Sequence, residues 1–141
     1  MTITNINKHN SVTIVEPVNL YGCTLDKNVF VGPFVEIQSD SFIGENTRIQ
    51  SHSFICSNVN IGKDCFIAHG VMFTNDKFKN MKIEKENFLS TNIGDNVLIG
   101  SNSTILPVNI CNDVVVGAGS VVTKSITVPG VYAGNPAKKI R

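Results

Sequence analysis

A large apolar residue returns every six positions through the middle of this chain, and this spacing limits the possible folds more than any other feature. Nine consecutive steps hold a large apolar residue. They are Leu25, Val31, Ile37, Ile43, Ile49, Ile55, Ile61, Ile67 and Phe73. An amphipathic helix repeats its apolar face every 3.6 residues and a simple strand every two. The period of six therefore predicts a repeat architecture in which each six-residue unit is one structural step.

Two other positions of each unit are also patterned. Four residues after each large apolar residue stands a small or β-branched residue, from Val29 to Val71. Three residues after it stand types that tolerate a left-handed backbone, with Phe34 as the exception. These are Asn28, Asp40, Asn46, His52, Asn58, Asp64 and Gly70. Each unit is therefore predicted to be a short strand closed by a tight turn, with one large and one small side chain facing inward.

A second array of the same units follows and completes one domain, residues 1–141. It contains Ile93, Ile99, Ile105, Ile110, Val116 and Val122, with one five-residue step that includes Pro107. Three units per turn would make a triangular prism of about five coils, with paired strands about 4.8 Å apart. Outside the arrays we expect an irregular N-terminus (1–20), a protruding loop (74–91) and a C-terminal tail (124–141).

Composition excludes several classes of function. The formal net charge is +1 and only 16% of residues are charged, so no nucleic-acid partner is predicted. No segment approaches the roughly 20 apolar residues of a membrane span, and the N-terminus lacks an apolar signal region. We therefore expect a cytoplasmic protein without a membrane partner. The cysteines form no CxxC pair, and we expect reduced, partly buried thiols.

Several motifs resemble a known family. The units "FIGENT", "NIGKDC", "NIGDNV" and "VVGAGS", followed by "VVTKSITVPGVYAGNPAKKIR", resemble the left-handed β-helix acyltransferases of the hexapeptide-repeat family. The resemblance implies an all-β, left-handed parallel β-helix. It also implies acetyl-CoA as co-substrate, no metal, and a homotrimer whose active sites lie between subunits.

A longer stretch narrows this resemblance. "CSNVNIGKDCFIAHGVMFTNDKF" is similar to the nucleotide-sugar 3-N-acetyltransferases, which acetylate a dTDP- or UDP-linked 3-amino deoxysugar for surface polysaccharide. "FKNM" stands where this family would have a Pro-Arg pair, so the nucleotide and the sugar stay open.

His69 is the catalytic candidate. Gly70 already occupies the turn position, so the turn does not require a histidine beside it. Transfer of acetyl to an amine releases a proton, and imidazole can accept a proton near neutral pH. His69 matches the family's "GHGVMF"-like segment, and we predict it to be the general base. The alternative, in which it only hydrogen-bonds the acceptor, stays open.

The resemblance also implies binding residues. Asn75 and Asp76, at the root of the loop and close to His69, are expected to bind the acceptor, although Asp76 could simply cap the loop's first turn. His52 could contact the acceptor or serve only as a turn residue. Lysines near the loop's root could approach the acceptor's diphosphate. For coenzyme A the implied residues are Gly100, Ala118, Lys124, Asn135, Pro136 and Lys138 (or the adjacent Lys139).

Three alternatives remain from the sequence. The first is a hexapeptide acetyltransferase acting on a 4-amino sugar, serine or a sugar hydroxyl. The second is the carbonic anhydrase branch of the fold, for which His9, His52 and His69 lack zinc-ligand spacing. The third is a non-catalytic binding solenoid.

Overall fold

The computed structural model describes residues 2–141, which form short β-strands and one 3₁₀ turn at Lys85–Asn87. The strands are β1 (Ile3–Thr4), β2 (Asn7–Lys8), β3 (Thr13–Ile14), β4 (Asn19–Tyr21), β5 (Thr24–Leu25), β6 (Phe30–Val31), β7 (Glu36–Ile37), β8 (Phe42–Ile43), β9 (Arg48–Ile49), β10 (Phe54–Ile55), β11 (Val59–Ile61), β12 (Phe66–Ile67), β13 (Met72–Phe73), β14 (Thr91–Ile93), β15 (Leu98–Ile99), β16 (Thr104–Ile105), β17 (Asn109–Ile110), β18 (Val114–Val116), β19 (Val121–Val122), β20 (Gly130–Gly134) and β21 (Ala137–Lys139).

The strands form three sheets, which are the three sides of a prism. Side 1 is β1-β4-β7-β10-β13-β16-β19, side 2 is β2-β5-β8-β11-β14-β17, and side 3 is β3-β6-β9-β12-β15-β18-β20-β21. The chain visits sides 1, 2 and 3 in turn, and only the final β20–β21 pairing is antiparallel. The predicted all-β parallel β-helix is confirmed, although side 1 has seven strands and so the coils number more than the five expected.

The core is built from the six-residue period. All nine large apolar residues from Leu25 to Phe73 are at most 1% exposed. The small residues four positions later, from Val29 to Val71, are buried as well. Because residues of successive coils pair in register, for example Ile37 with Ile55, the interior is a stack of aliphatic side chains. The predicted inward positions are confirmed.

The predicted turn position adopts the left-handed backbone throughout the two arrays. Its residues have φ between 55° and 68°. They are Asn28, Phe34, Asp40, Asn46, His52, Asn58, Asp64, Gly70, Asn96, Asn102, Asp113 and Gly119. Phe34, which the pattern did not favour, has φ 63° like the others.

The N-terminus is regular, and our expectation of an irregular segment over residues 1–20 is wrong. Strands β1, β2 and β3 pair with β4, β5 and β6 and form a first coil. The repeat was obscured because the step from Leu20 to Leu25 is five residues. In addition, Lys8 stands at the position that pairs with the buried Leu25.

The two irregularities of the repeat have different effects. The five-residue step shortens one coil to 17 residues, since Ile93 pairs with Ile110, and the sheets continue without a break. At the loop the pairing interval is 32 residues, from Ile61 to Ile93. This loop, residues 74–90, leaves the prism between sides 1 and 2, and Thr91 already belongs to β14.

All four cysteines are free thiols, as the sequence predicted. Cys23, Cys56 and Cys65 are buried in the core, whereas Cys111 is half-buried. Burial raises the pKa of Cys23 to about 11 and that of Cys56 to about 12, because an apolar interior disfavours the thiolate.

Native-state alkylation at pH 8 should therefore label Cys111 first. The other three thiols should react only after denaturation, because they are buried and burial has raised their pKa. Mass spectrometry of iodoacetamide-treated protein, with and without urea, measures this directly. Labelling of Cys56 as fast as Cys111 in the native protein would contradict the burial seen here.

Candidate active site

The vertical edge between sides 3 and 1, called the histidine edge, carries the stacked residues Ser51, His69, Ser101 and Ala118. Backbone hydrogen bonds join successive coils along it. The amides of residues 70, 102 and 119 donate to the carbonyl oxygens of Ser51, His69 and Ser101 at 3.0, 2.9 and 2.8 Å. The edge therefore places one residue of each coil directly above that of the coil before.

The His69 side chain is exposed and held by the coil before it. Its Nδ1 lies 2.9 Å from Oγ of Ser51. The turn beneath the ring is fixed by buried Ser53, whose hydroxyl donates to the carbonyl of Ala68 at 2.8 Å and accepts from the amide of Val71 at 3.2 Å. When Nδ1–H donates to Ser51, the lone pair on Nε2 is free to accept a proton.

Ser51 is a site residue that the sequence reading missed. It precedes His69 by 18 residues, the length of a regular coil, and that spacing was the available signal. His52 lies on the same coil as Ser51, one coil before His69 as expected from the sequence. Its ring stacks on Phe34, with centroids 4.9 Å apart and planes at 29°.

Asn75 and Asp76 lie at the other end of side 1, so the expectation that they are close to His69 is wrong within one chain. Strand β13 separates them from the histidine edge, and they belong to the loop edge, between sides 1 and 2. The side-chain amide of Asn75 donates to Oγ of Ser57 at 2.9 Å, and its backbone carbonyl accepts from the amide of Leu89 at 2.7 Å. Asn75 thus anchors both ends of the loop.

Asp76 has one bonded and one free carboxylate oxygen. Oδ1 accepts from the amide of Phe78 at 2.8 Å, which is the turn cap considered from the sequence. Oδ2 is buried without a hydrogen-bond partner among residues 2–141. Asp76 borders two cavities of the loop, one of about 370 Å³ and one of about 260 Å³. The larger is lined mainly by aromatic and apolar side chains, and the smaller includes Lys77, Lys79 and Lys82.

Most of the residues implied for coenzyme A lie on or beside the histidine edge. Ala118 is exposed on it, two coils beyond His69. The β20–β21 hairpin lies over side 3, and the amide of Gly134 donates to Oγ of Ser120 at 3.1 Å. This bond brings the Asn135–Pro136 turn to the end of the histidine edge, with Lys138 exposed on β21.

Lys124 does not join this group within one chain. It follows β19 at the opposite end of side 1, on the loop edge, with its side chain exposed. The sequence places it next to the last apolar unit but does not show which corner of the prism that position reaches.

Gly100 has a structural reason to lack a side chain. An added Cβ would lie 2.7 Å from Cα of Ala118 in the next coil and 2.9 Å from the backbone of Gly117. The space next to Gly100 is therefore filled by the protein itself. The expectation that Gly100 leaves room for the pantetheine arm is not supported by this geometry.

Metal and membrane sites were also sought. Over residues 2–141 no three His, Cys, Asp or Glu side chains come together as a metal-binding group. The same part of the chain contains no helix long and apolar enough to cross a membrane.

Comparison with known families identifies the repeat. Residues 40–75 match the family model described as bacterial transferase hexapeptide, and residues 91–124 match the hexapeptide repeat of succinyl-transferase. This chain is a hexapeptide-repeat protein of the bacterial transferase type. The two matches flank the protruding loop and coincide with the two arrays of the sequence.

A curated relative of this hexapeptide-repeat protein is chloramphenicol acetyltransferase of Klebsiella aerogenes. The two are 42% identical over 53 residues, which are 37% of this chain and 25% of that protein. The matches to the curated relatives thus span only about a quarter of those proteins.

Solved structures share the fold over nearly the whole chain. A hexapeptide transferase family protein from Anaplasma phagocytophilum has a TM-score of 0.81 at 19% identity, covering 96% of this chain and 78% of that one. A histidine-to-alanine variant of GDP-perosamine N-acetyltransferase from Caulobacter crescentus, in complex with CoA and GDP-perosamine, has a TM-score of 0.68 at 23% identity. That match covers 96% of this chain and 55% of the other. At these identities the likeness concerns the fold.

Gly100→Ala should lower stability by about 1–3 kcal/mol, because the new methyl overlaps the backbone of the next coil. Gly119→Asn is the matched control. An added Cβ there has nothing within 4 Å, and φ of 68° suits asparagine. Thermal unfolding and coenzyme A titration of both variants distinguish the two roles of Gly100. Wild-type stability with lost coenzyme A binding would restore the pantetheine interpretation.

Proposed function

We propose that this protein is an acetyl-CoA-dependent N-acetyltransferase whose acceptor is the 3-amino group of a nucleotide-linked deoxysugar, in surface polysaccharide synthesis. The observation that carries the proposal is His69, whose Nδ1 is held by Ser51 on an edge that leads to the C-terminal hairpin. The similarity to transferases, including one solved with CoA and a nucleotide amino sugar, supports it.

In the proposed reaction, the neutral amine of the acceptor attacks the thioester carbonyl of acetyl-CoA. A C–N bond forms, and the nitrogen becomes positively charged in a tetrahedral intermediate. His69 accepts the proton from this nitrogen at Nε2, while the Nδ1–H bond to Ser51 maintains the required tautomer. The C–S bond then breaks, and the sulfur of coenzyme A leaves with the bonding electrons and is protonated.

Coenzyme A is proposed to lie along the histidine edge on the C-terminal side of His69. Ala118 presents only a methyl group there, so an extended chain can lie close to the backbone. The Asn135–Pro136 turn and Lys138 would then be near the adenine and phosphate end, where a lysine suits a phosphate. Lys124 would have to act from a neighbouring subunit, since it lies on the other edge.

The active site is proposed to form between subunits of a homotrimer. Within one chain, His69 and the loop residues occupy opposite ends of side 1. A cyclic trimer can place the loop edge of one subunit next to the histidine edge of another. The unpaired Oδ2 of Asp76 would then accept a hydrogen bond from the acceptor, and the lysines of the smaller cavity would face its diphosphate.

The reaction is tested by mass spectrometry of products from a panel of dTDP-, UDP- and GDP-linked amino sugars, with serine and chloramphenicol as alternative acceptors. His69→Ala should lower kcat/KM by about 10²–10⁴-fold, the usual contribution of a general base. Ser51→Ala should lower kcat by roughly three- to tenfold with little change in KM, since one orienting hydrogen bond is lost. A His69→Ala variant within threefold of wild type would exclude the general-base role.

Subunit mixing tests the shared site. His69→Ala and Asp76→Ala should each be nearly inactive as pure proteins. Co-refolded in equal amounts, they should recover activity, because about one quarter of the interfaces then combine an intact His69 with an intact Asp76. Each variant refolded alone is the control. A mixture no more active than its components would place the two residues in separate sites or assign Asp76 no role.

A further inference from the structure

Phe34 is a residue that the fold does not explain. Its φ is 63°, in the left-handed region where a bulky side chain is strained. Asparagine, aspartate, glycine or histidine fills every other turn position of the two arrays. The Phe34 side chain is nevertheless 49% exposed, so the strain is not offset by burial in the core. Backbone strain of this kind is concentrated at functional sites.

Phe34 lies on the histidine edge. The turn residues Phe34, His52 and Gly70 are successive members of one column, and the amide of His52 donates to the carbonyl of Pro33 at 3.2 Å. Phe34 is thus two coils away from the turn of His69, or about 10 Å at 4.8 Å per coil. It lies on the N-terminal side of His69, whereas Ala118 and the hairpin lie on the C-terminal side.

The ring of Phe34 is held in place by a second ring. His52 stacks on it with centroids 4.9 Å apart and planes at 29°. The pair forms a partly exposed aromatic surface on the same edge as the proposed base. Such surfaces bind nucleobases by stacking, because every base has a flat π-face.

We propose that Phe34, supported by His52, binds the nucleobase of a nucleotide-linked acceptor. The inference rests on the proposed function, since it takes His69 as the point where the acceptor's amine reacts. With the amine at His69, the sugar and its two phosphates span a distance of this order to Phe34. Coenzyme A and the nucleotide then approach His69 from opposite ends of one edge, which leaves each its own length of surface.

Phe34→Asn tests the stacking role without disturbing the fold. Asparagine suits the left-handed turn, so the melting temperature should be equal to or above that of wild type. The matched control is Phe42→Asn, which removes another exposed aromatic ring, on side 2 and away from the histidine edge. The probes are dTDP, UDP and GDP, with pyrophosphate as the ligand that lacks a base.

Calorimetric titration should show that Phe34→Asn binds the best of the three nucleotides roughly five- to hundredfold more weakly, the loss expected for one stacked base. Its affinities for pyrophosphate and coenzyme A should stay at the wild-type values. His52→Asn should give a smaller loss of nucleotide affinity, because it removes only the support of the Phe34 ring. Phe42→Asn should bind every probe as wild type does.

Three results would overturn the inference. The first is a Phe34→Asn protein that binds the nucleotides within twofold of wild type while wild type acetylates a nucleotide amino sugar. The second is a wild-type protein that acetylates such a sugar but binds pyrophosphate as tightly as the nucleotide. The third is dissociation of the oligomer by Phe34→Asn in sedimentation, which would assign the ring to a subunit contact. Failure of the proposed function is a different result, the absence of acetyl transfer by wild type.

Discussion

The close stacking of each coil on the coil before it is the constraint on which the rest of the structure depends. Parallel backbone hydrogen bonds join every coil to the next, and at some positions the backbones approach too closely for a side chain. A Cβ added to Gly44, for instance, would lie 2.5 Å from the carbonyl carbon of Gly62. Because the coils stack in register, residues 17 or 18 apart become vertical neighbours, and the three edges of the prism become columns of related residues.

The functional residues are arranged by the same constraint. Ser51 and His69 are distant in sequence but 2.9 Å apart because they occupy one column. The turn that carries His69 is fixed from within by Ser53, a buried residue of the small-residue position. A rigid solenoid therefore presents an exposed imidazole in one orientation, which is what a proton acceptor requires. Phe34 is the opposite case, where the turn geometry is kept and the residue type conflicts with it.

Much of the fold could be predicted from the sequence because one period controls both core and turns. The inward positions and the left-handed turns followed from residue types at fixed spacing. The first coil was missed because Lys8 and a five-residue step interrupt that period. The core signal depends on apolar residues, and a terminal coil has fewer of them to bury.

Less of the candidate site could be predicted, because its contacts cross between coils and corners. The position of His69 was recognisable, but its bond to Ser51 required the stacking register. Asn75 is six residues from His69, yet a strand carries it to another edge, and Lys124 is displaced in the same way. Gly100 was misread because a close backbone neighbour and an open ligand path call for the same residue.

The central claim is that the histidine edge is the acetyl-transfer site, and a crystal structure of the protein with coenzyme A and UDP tests it most directly. The account predicts the sulfur of coenzyme A beside Nε2 of His69, with the pantetheine arm passing Ser101 and Ala118 toward the hairpin. Coenzyme A bound on another edge, with its sulfur away from every His69 of the assembly, would contradict it.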